Sequence, residues 1–282
     1  MGQMTGTFLG VRGSYPVSGR GVARVGGNSS AVLLEEEGVA FFLDAGSGII
    51  AAGPRVLESA GPELHIFLTH LHFDHIMGLP FFAPVFSPRF HIHFHAPQNP
   101  AAPLQRTIES LFLPPFSPIT LAGIRASLHY HEFDPATPYE WKWNEGVRVR
   151  SRMNHDGDLL GVAVYRVETG RASLVYATDV EAPDGFSEPV FQLACGADVL
   201  IHDSQYLEED YLDPAAPKRG YGHSTVGMAA RNALVCGVKR LYLFHFDPRY
   251  DDVTLGRMLK SARTIFPRTH LARERHKFSL RS

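Results

Sequence analysis

The chain has 282 residues, 44% of them hydrophobic and 20% charged, a composition that suits a globular fold with a large core. Lys and Arg number 27 against 29 Asp and Glu, and the resulting net charge of -2 excludes a whole-chain attraction to nucleic acid or anionic membrane. No apolar run reaches the roughly 18 residues of a membrane helix, no secretory signal pattern opens the chain, and two cysteines are too few for a disulfide framework. The expectation is a protein of the reducing cytoplasm with no membrane partner.

In chain order, short β-branched or aromatic runs between Gly- and Pro-marked turns predict strands over 7–9, 31–34, 39–43 and 64–69, with a helix over 50–59. The region at about 80–146 holds more than half of the twenty prolines, interleaved with aromatic residues and one helical pattern over 104–112. It reads as an elaborated loop region inside a single domain spanning 1–282. Beyond it, Val147, Val149, Ser151 and Met153 alternate with Arg148, Arg150 and Arg152, the pattern of a strand with one core face and one wet face. Further strands are expected over 162–167, 174–177, 199–201 and 241–244. Helices are expected over 226–235, closed by Gly237, and over 255–265, closed by Pro267. The class is mixed α/β.

Fifteen histidines are the informative count, because imidazole binds metals and moves protons near neutral pH. The apolar strand over 64–69 ends in His70-Leu71-His72-Phe73-Asp74-His75. In extended backbone His70 and His72 point the same way, while Asp74 and His75 follow at the turn into a helix, so the two pairs can serve two adjacent ions. Imidazole mixed with carboxylate suits zinc, with manganese or iron as alternatives. Other candidate ligands each follow an apolar strand: His155, Asp179 and His245.

This order of residues, His70-x-His72-x-Asp74-His75 and then isolated His155, Asp179 and His245, resembles the metallo-β-lactamase superfamily over about residues 5–250. The resemblance implies a four-layer αβ/βα sandwich of two similar halves with the metals in a cleft at one edge. It also implies that His70, His72 and His155 bind one divalent ion, Asp74, His75 and His245 the second, and Asp179 both. Asp44 matches an acidic position that supports the metal loop in that family, and reads equally well as a turn residue.

The superfamily hosts several reactions, so the ligands alone do not choose one. Gly222-His223-Ser224-Thr225 precedes the helix over 226–235, with Ser224 or Thr225 as its N-cap, and Ile201-His202-Asp203-Ser204 lies upstream. Together these are similar to the tRNase Z and phosphodiesterase branch, which implies an acid–histidine pair, here Asp203 and His223, with Asp74 also in the catalytic set. That branch's tRNA-processing members carry Glu at the acid position. A phosphodiesterase needs such a pair to protonate the leaving oxygen. His202 is the weaker candidate, and His223 as a plain helix-capping residue is the competing reading.

Residues 80–146 carry only scattered cations such as Arg89, Arg106, Arg125 and Lys142, too few for a basic exosite. The expected substrate is therefore a small or cyclic phosphodiester, with tRNA 3' processing, a lactone or a thioester as alternatives. Arg12, Arg24 and Asn28 lie in a Gly-rich segment that borders the pocket or forms a plain hairpin. His91, His93 and His95 share one strand face, repeated by His129 and His131. With no acid nearby, this reads as a polar face beside the cleft, a third metal site being the other reading. Trp141, Trp143, Phe81, Phe82, Phe112 and Phe116 can stack on a base, form a local core or make a homodimer contact.

Overall fold

The computed structural model describes residues 4–36, 38–118, 120–143, 146–155, 161–170, 172–183 and 185–280. Among the described residues, fourteen strands form two seven-stranded sheets. The first contains β1 (Thr5–Gly10), β2 (Ala31–Glu36), β3 (Val39–Leu43), β4 (Glu63–Phe67), β5 (His91–Pro97), β6 (Ser127–Phe133) and the last strand, β14 (Lys277–Ser279). The second contains β7 (Tyr139–Trp143), β8 (Val147–Asn154), β9 (Val162–Thr169), β10 (Ala172–Ala177), β11 (Val199–Asp203), β12 (Arg240–Phe244) and β13 (Thr269–Leu271). Their orders are β14-β1-β2-β3-β4-β5-β6 and β13-β12-β11-β10-β9-β8-β7.

The two sheets repeat one plan. β14 through β3 pair antiparallel and β3 through β6 parallel; β7 through β10 pair antiparallel and β10 through β13 parallel. Sequence parity decides what lies between and outside them. In β2, Val32 and Leu34 join Phe41, Phe67 and residues of the second sheet in one core, while Ala31 and Leu33 join Phe42, Leu64 and Ile66 in another beneath the first sheet's helices. Both faces of each sheet are thus covered, giving the helix–sheet–sheet–helix sandwich of the expected fold class. The helix Val226–Cys236 packs on β11 and β12 and ends at Gly237, whose φ of 62° lies in the left-handed region that glycine adopts at a helix C-terminus.

The Pro-rich region is more regular than a loop. It supplies β5 and β6 to one sheet and β7 to the other, because its prolines cluster between these strands and leave them almost uninterrupted.

Parallel pairing places the C-terminal ends of β3, β4, β10, β11 and β12 along one edge of the sandwich, where ligands of such sheets gather. Cross-links hold the two sheets together there. The Tyr165 hydroxyl donates to Leu68 O at 2.7 Å and Ala163 N to Thr69 O at 2.9 Å, while Phe246 N donates to Val11 O at 3.0 Å. Arg12 is fully buried and its guanidinium donates to the carbonyls of Gly26, Asp247 and Tyr250. It pins the edge rather than lining a pocket. Asn28 N and Nδ2 donate to the Glu274 carboxylate, and Arg24 N donates to Asp252, so these two residues are likewise tied into the frame.

Candidate metal centre

Three residues at strand ends adopt left-handed backbone although none is glycine: Asp44 (φ 59°) after β3, Asp179 (φ 55°) after β10 and His245 (φ 61°) after β12. Each such residue costs about 1–3 kcal/mol and persists only where its surroundings enforce it. The turn ends the strand abruptly and aims each side chain into the shared edge.

The donors converge there. His75 Nε2 lies 3.3 Å from Asp74 Oδ2 and 3.3 Å from Asp179 Oδ2, and His245 Nε2 lies 3.5 Å and 3.3 Å from the same two oxygens. His70 Nε2 is 3.8 Å from the other Asp179 oxygen, Oδ1. Asp179 therefore faces His70 with one oxygen and His75 and His245 with the other. These distances, together with burial, are a test of metal fit. The Nε2 atoms of His70, His75 and His245 are buried and have no hydrogen-bond partner among the described residues. Four donors at 2.0–2.1 Å from a tetrahedral zinc lie about 3.3–3.4 Å apart, which is the spacing seen around Asp74, His75, His245 and Asp179 Oδ2. The residues fit a divalent ion.

Asp44 explains why Nε2 of His70 and of His75 face inward. Its carboxylate accepts from Thr69 N at 2.8 Å, from the Tyr176 hydroxyl at 2.9 Å and from His75 Nδ1 at 2.8 Å. The Thr69 hydroxyl lies 3.0 Å from Asp44 Oδ1 and 3.0 Å from His70 Nδ1, so it passes the same orientation on to His70. With Nδ1 carrying the proton, each Nε2 lone pair is turned to the cluster. Asp44 thus supports the metal loop, and its turn is the means. Ser14 N adds a hydrogen bond to Asp74 Oδ2 at 2.8 Å. Burial opposes ionisation of Asp74 and Asp179, but their histidine neighbours hold both carboxyls below the ordinary carboxylate range.

His72 and His155 stand differently. Among the described residues, the tight donor groups are His70–His75–Asp179, Asp74–His75–His245 and Asp179–His223–His245, and neither residue is a member. His72 is exposed, with its ring centroid 4.3 Å from that of His70. His155 is exposed, one residue beyond the Asn154–Val162 pair that ends β8, and β9 reaches the His70 loop through Ala163. Of the two, His72 borders the His70 side of the cluster.

Beside His245 sits a second arrangement. Asp203, fully buried, accepts from Gln205 N (3.1 Å) and Ser224 N (2.9 Å) through Oδ1, and from Asp179 N (3.0 Å) and His223 Nδ1 (2.8 Å) through Oδ2. His245 Nδ1 lies 3.3 Å from Oδ2. Burial pushes the Asp203 carboxyl up, yet His223 and His245 bring it down on balance, so it is ionised at neutral pH. The shorter acid therefore reaches the histidine directly, and His223 keeps Nε2 free on a partly exposed ring. Ser224 stitches this loop down: its hydroxyl donates to Val180 O at 2.6 Å and accepts from Ala182 N at 3.2 Å. Thr225 caps the helix, accepting from Met228 N. His202 is spent in the core, its nitrogens 2.7 Å from Asp203 O and 3.0 Å from Asn232 Nδ2.

Some contributors escaped the sequence reading. Glu181, buried, accepts from Gly220 N, from Gly222 N and from the Tyr211 hydroxyl, fastening the loop that carries His223. Tyr176 sits inside an apolar strand and gave no signal. Gly13 did offer one, in its Gly-rich segment: a Cβ there would stand 2.6 Å from His245 Nδ1.

Comparison with known proteins agrees with this geometry. Residues 40–246 match the family described as beta-lactamase superfamily domain. The chain is 26% identical to the ribonuclease Z of Picrophilus torridus, over 97% of this chain and 95% of that one. Among solved structures it resembles the metallo-beta-lactamase fold protein YhfI from Bacillus subtilis (TM-score 0.72, 17% identity, 98% of each chain). It also resembles a diphosphatase from the PhnP family (TM-score 0.69, 18% identity, 98% of this chain and 97% of that one). The chain belongs to the beta-lactamase superfamily, in the ribonuclease Z and phosphodiesterase-like branch of its metal-dependent hydrolases.

Proposed function

We propose that the protein is a dinuclear phosphodiesterase whose leaving group is assisted by His223. The observation that carries this reading is the Asp203–His223 pair, 2.8 Å apart and adjoining the donor cluster through His245 and Asp179. In this account His70, His72, His155 and Asp179 hold one divalent ion, zinc in the first instance, and Asp74, His75, His245 and Asp179 hold the other. When bound, the ions neutralise phosphate oxygens and activate a water as nucleophile. Asp44 keeps His70 and His75 in the ligating tautomer. Asp203 keeps the His223 proton on Nδ1 in the neutral ring; after protonation, Nε2–H faces the substrate and can pass its proton to the departing oxygen, a contribution of about 10² to 10⁴ in rate. A lactone or thioester leaves more easily and has less need of this pair.

A small phosphodiester remains the favoured substrate, because Arg89, the cation nearest the start of the Pro-rich region, is already spent on Leu57 O and Ala60 O. RNA is the second reading, supported by the ribonuclease Z relatives and by Lys218 and Arg219 on the loop just before His223. The test is a panel of bis(p-nitrophenyl) phosphate, cyclic nucleotides, a tRNA precursor with a 3' extension, and a lactone. Diester hydrolysis that falls with His223→Ala supports the proposal. Lactone turnover without diester turnover contradicts it.

A further inference from the structure

A second group of imidazoles lies on the inner face of β4, β5 and β6, and none of its nitrogens belongs to the donor groups around Asp179. Strand register builds it. His65 pairs with His93 and His93 with His129 across one row; His95 pairs with His131 in the next. Residues two apart share a face, so these rings stack in columns with centroids 4.5–5.3 Å apart for His93 with His129, His131 and His65. Trp141 and Trp143 of β7 cover the inner end, where His65 is buried, and the outer end at His131 is exposed.

The outer end has the parts of a ligand pair. Glu63 Oε2 lies 2.8 Å from His93 Nε2, the acid that the sequence pattern alone did not place. A carboxylate that accepts from Nε2–H leaves the Nδ1 lone pair free, the converse of Asp44, which accepts from His75 Nδ1–H and leaves Nε2 free. His93 Nδ1 faces His131 Nε2 at 3.0 Å, close to the spacing of about 3.3 Å between two nitrogens on one tetrahedral ion. Among the described residues no third acid, cysteine or histidine completes a tight group here, and the exposed side leaves room for water.

We propose that His93 and His131 chelate one borderline divalent transition ion at this sheet edge, with Glu63 orienting His93 and water filling the remaining positions. Two protein ligands make the site exchangeable, unlike the buried cluster. Because the ion joins β5 to β6, it also braces the last parallel pair of the first sheet.

The probe is Cu²⁺, added to the purified zinc-loaded protein, with calorimetry for stoichiometry, electron paramagnetic resonance for nitrogen ligation and elemental analysis to confirm that zinc stays bound. The proposal expects one further ion per chain with a nitrogen signature. His131→Asn, an exposed substitution, weakens that binding at least ten-fold and leaves zinc content and diester hydrolysis unchanged. Glu63→Gln weakens it by about 10- to 100-fold. Copper bound only in exchange for zinc, copper bound equally by His131→Asn, or no uptake at all each overturns the proposal, the last leaving a hydrogen-bonded imidazole ladder only.

Discussion

Asp203→Asn perturbs a buried carboxylate that accepts four hydrogen bonds while preserving its shape. Four hydrogen bonds reach the Asp203 carboxylate: from Gln205 N and Ser224 N to Oδ1, and from Asp179 N and His223 Nδ1 to Oδ2. An asparagine must place its NH₂ where one of those oxygens was, so two donors lose their acceptor in either orientation. Each buried donor left unpaired costs about 1–3 kcal/mol, so the variant should lose about 2–6 kcal/mol, a large share of a typical stability of about 5–15 kcal/mol. If the amide turns its NH₂ to the Oδ2 position, His223 loses its charged acceptor and turnover falls towards the value of His223→Ala. If it turns the other way, Ser224 and the loop beneath His223 come loose. Urea unfolding at fixed zinc concentration measures the first quantity and bis(p-nitrophenyl) phosphate hydrolysis the second. A variant with wild-type unfolding midpoint and wild-type kcat would refute the assignment of Asp203 as the hub.

Four further outcomes follow from the same geometry. His223→Ala should lower kcat by about 10² to 10⁴ with both ions retained, read by steady-state kinetics beside elemental analysis; equal kcat removes it from the reaction. Asp44→Ala should weaken metal binding by about 10- to 100-fold, measured by competition with a chromogenic chelator, because His70 and His75 lose the group that orients them. Chelation of the wild type should abolish diester hydrolysis and lower the unfolding free energy, by about 4 kcal/mol if free zinc had stood at 1,000 times its dissociation constant. Glu168 is desolvated by burial, yet Arg150 and Arg166 hold its carboxyl below the usual 4.5. Its contribution is present above pH 4.5 and lost as acid carries the protein through the folded value. Wild type and Glu168→Gln should therefore differ in urea midpoint above pH 4.5 and converge as the pH falls through the lower folded value; a constant difference contradicts the linkage.

Much of the centre was legible because its chemistry is concentrated. Six residues from His70 to His75 carry four donors, and Asp179 and His245 each stand within two residues of a buried strand whose end sets their place. The strands themselves followed from β-branched runs with little interruption. What stayed hidden depends on contacts across the chain. Tyr176 looks like any core aromatic until its hydroxyl is found on Asp44, 132 residues away, and Glu181 looks like a surface acid until Gly220 and Gly222 fold over it. Glu63 escaped for the same reason, since its partner His93 lies on the neighbouring strand. The Pro-rich region misled in the opposite direction: proline density suggested loop, while β5 and β6 alternate well enough to pair in register.

The central claim is that donors from both halves of the sandwich meet around Asp179 to hold a pair of ions. Mass spectrometry of the folded protein, which counts bound metal directly, tests it most plainly. The account predicts a species carrying two divalent ions that disappears in Asp179→Ala. A wild-type protein that binds fewer than one ion per chain after exposure to excess zinc contradicts it.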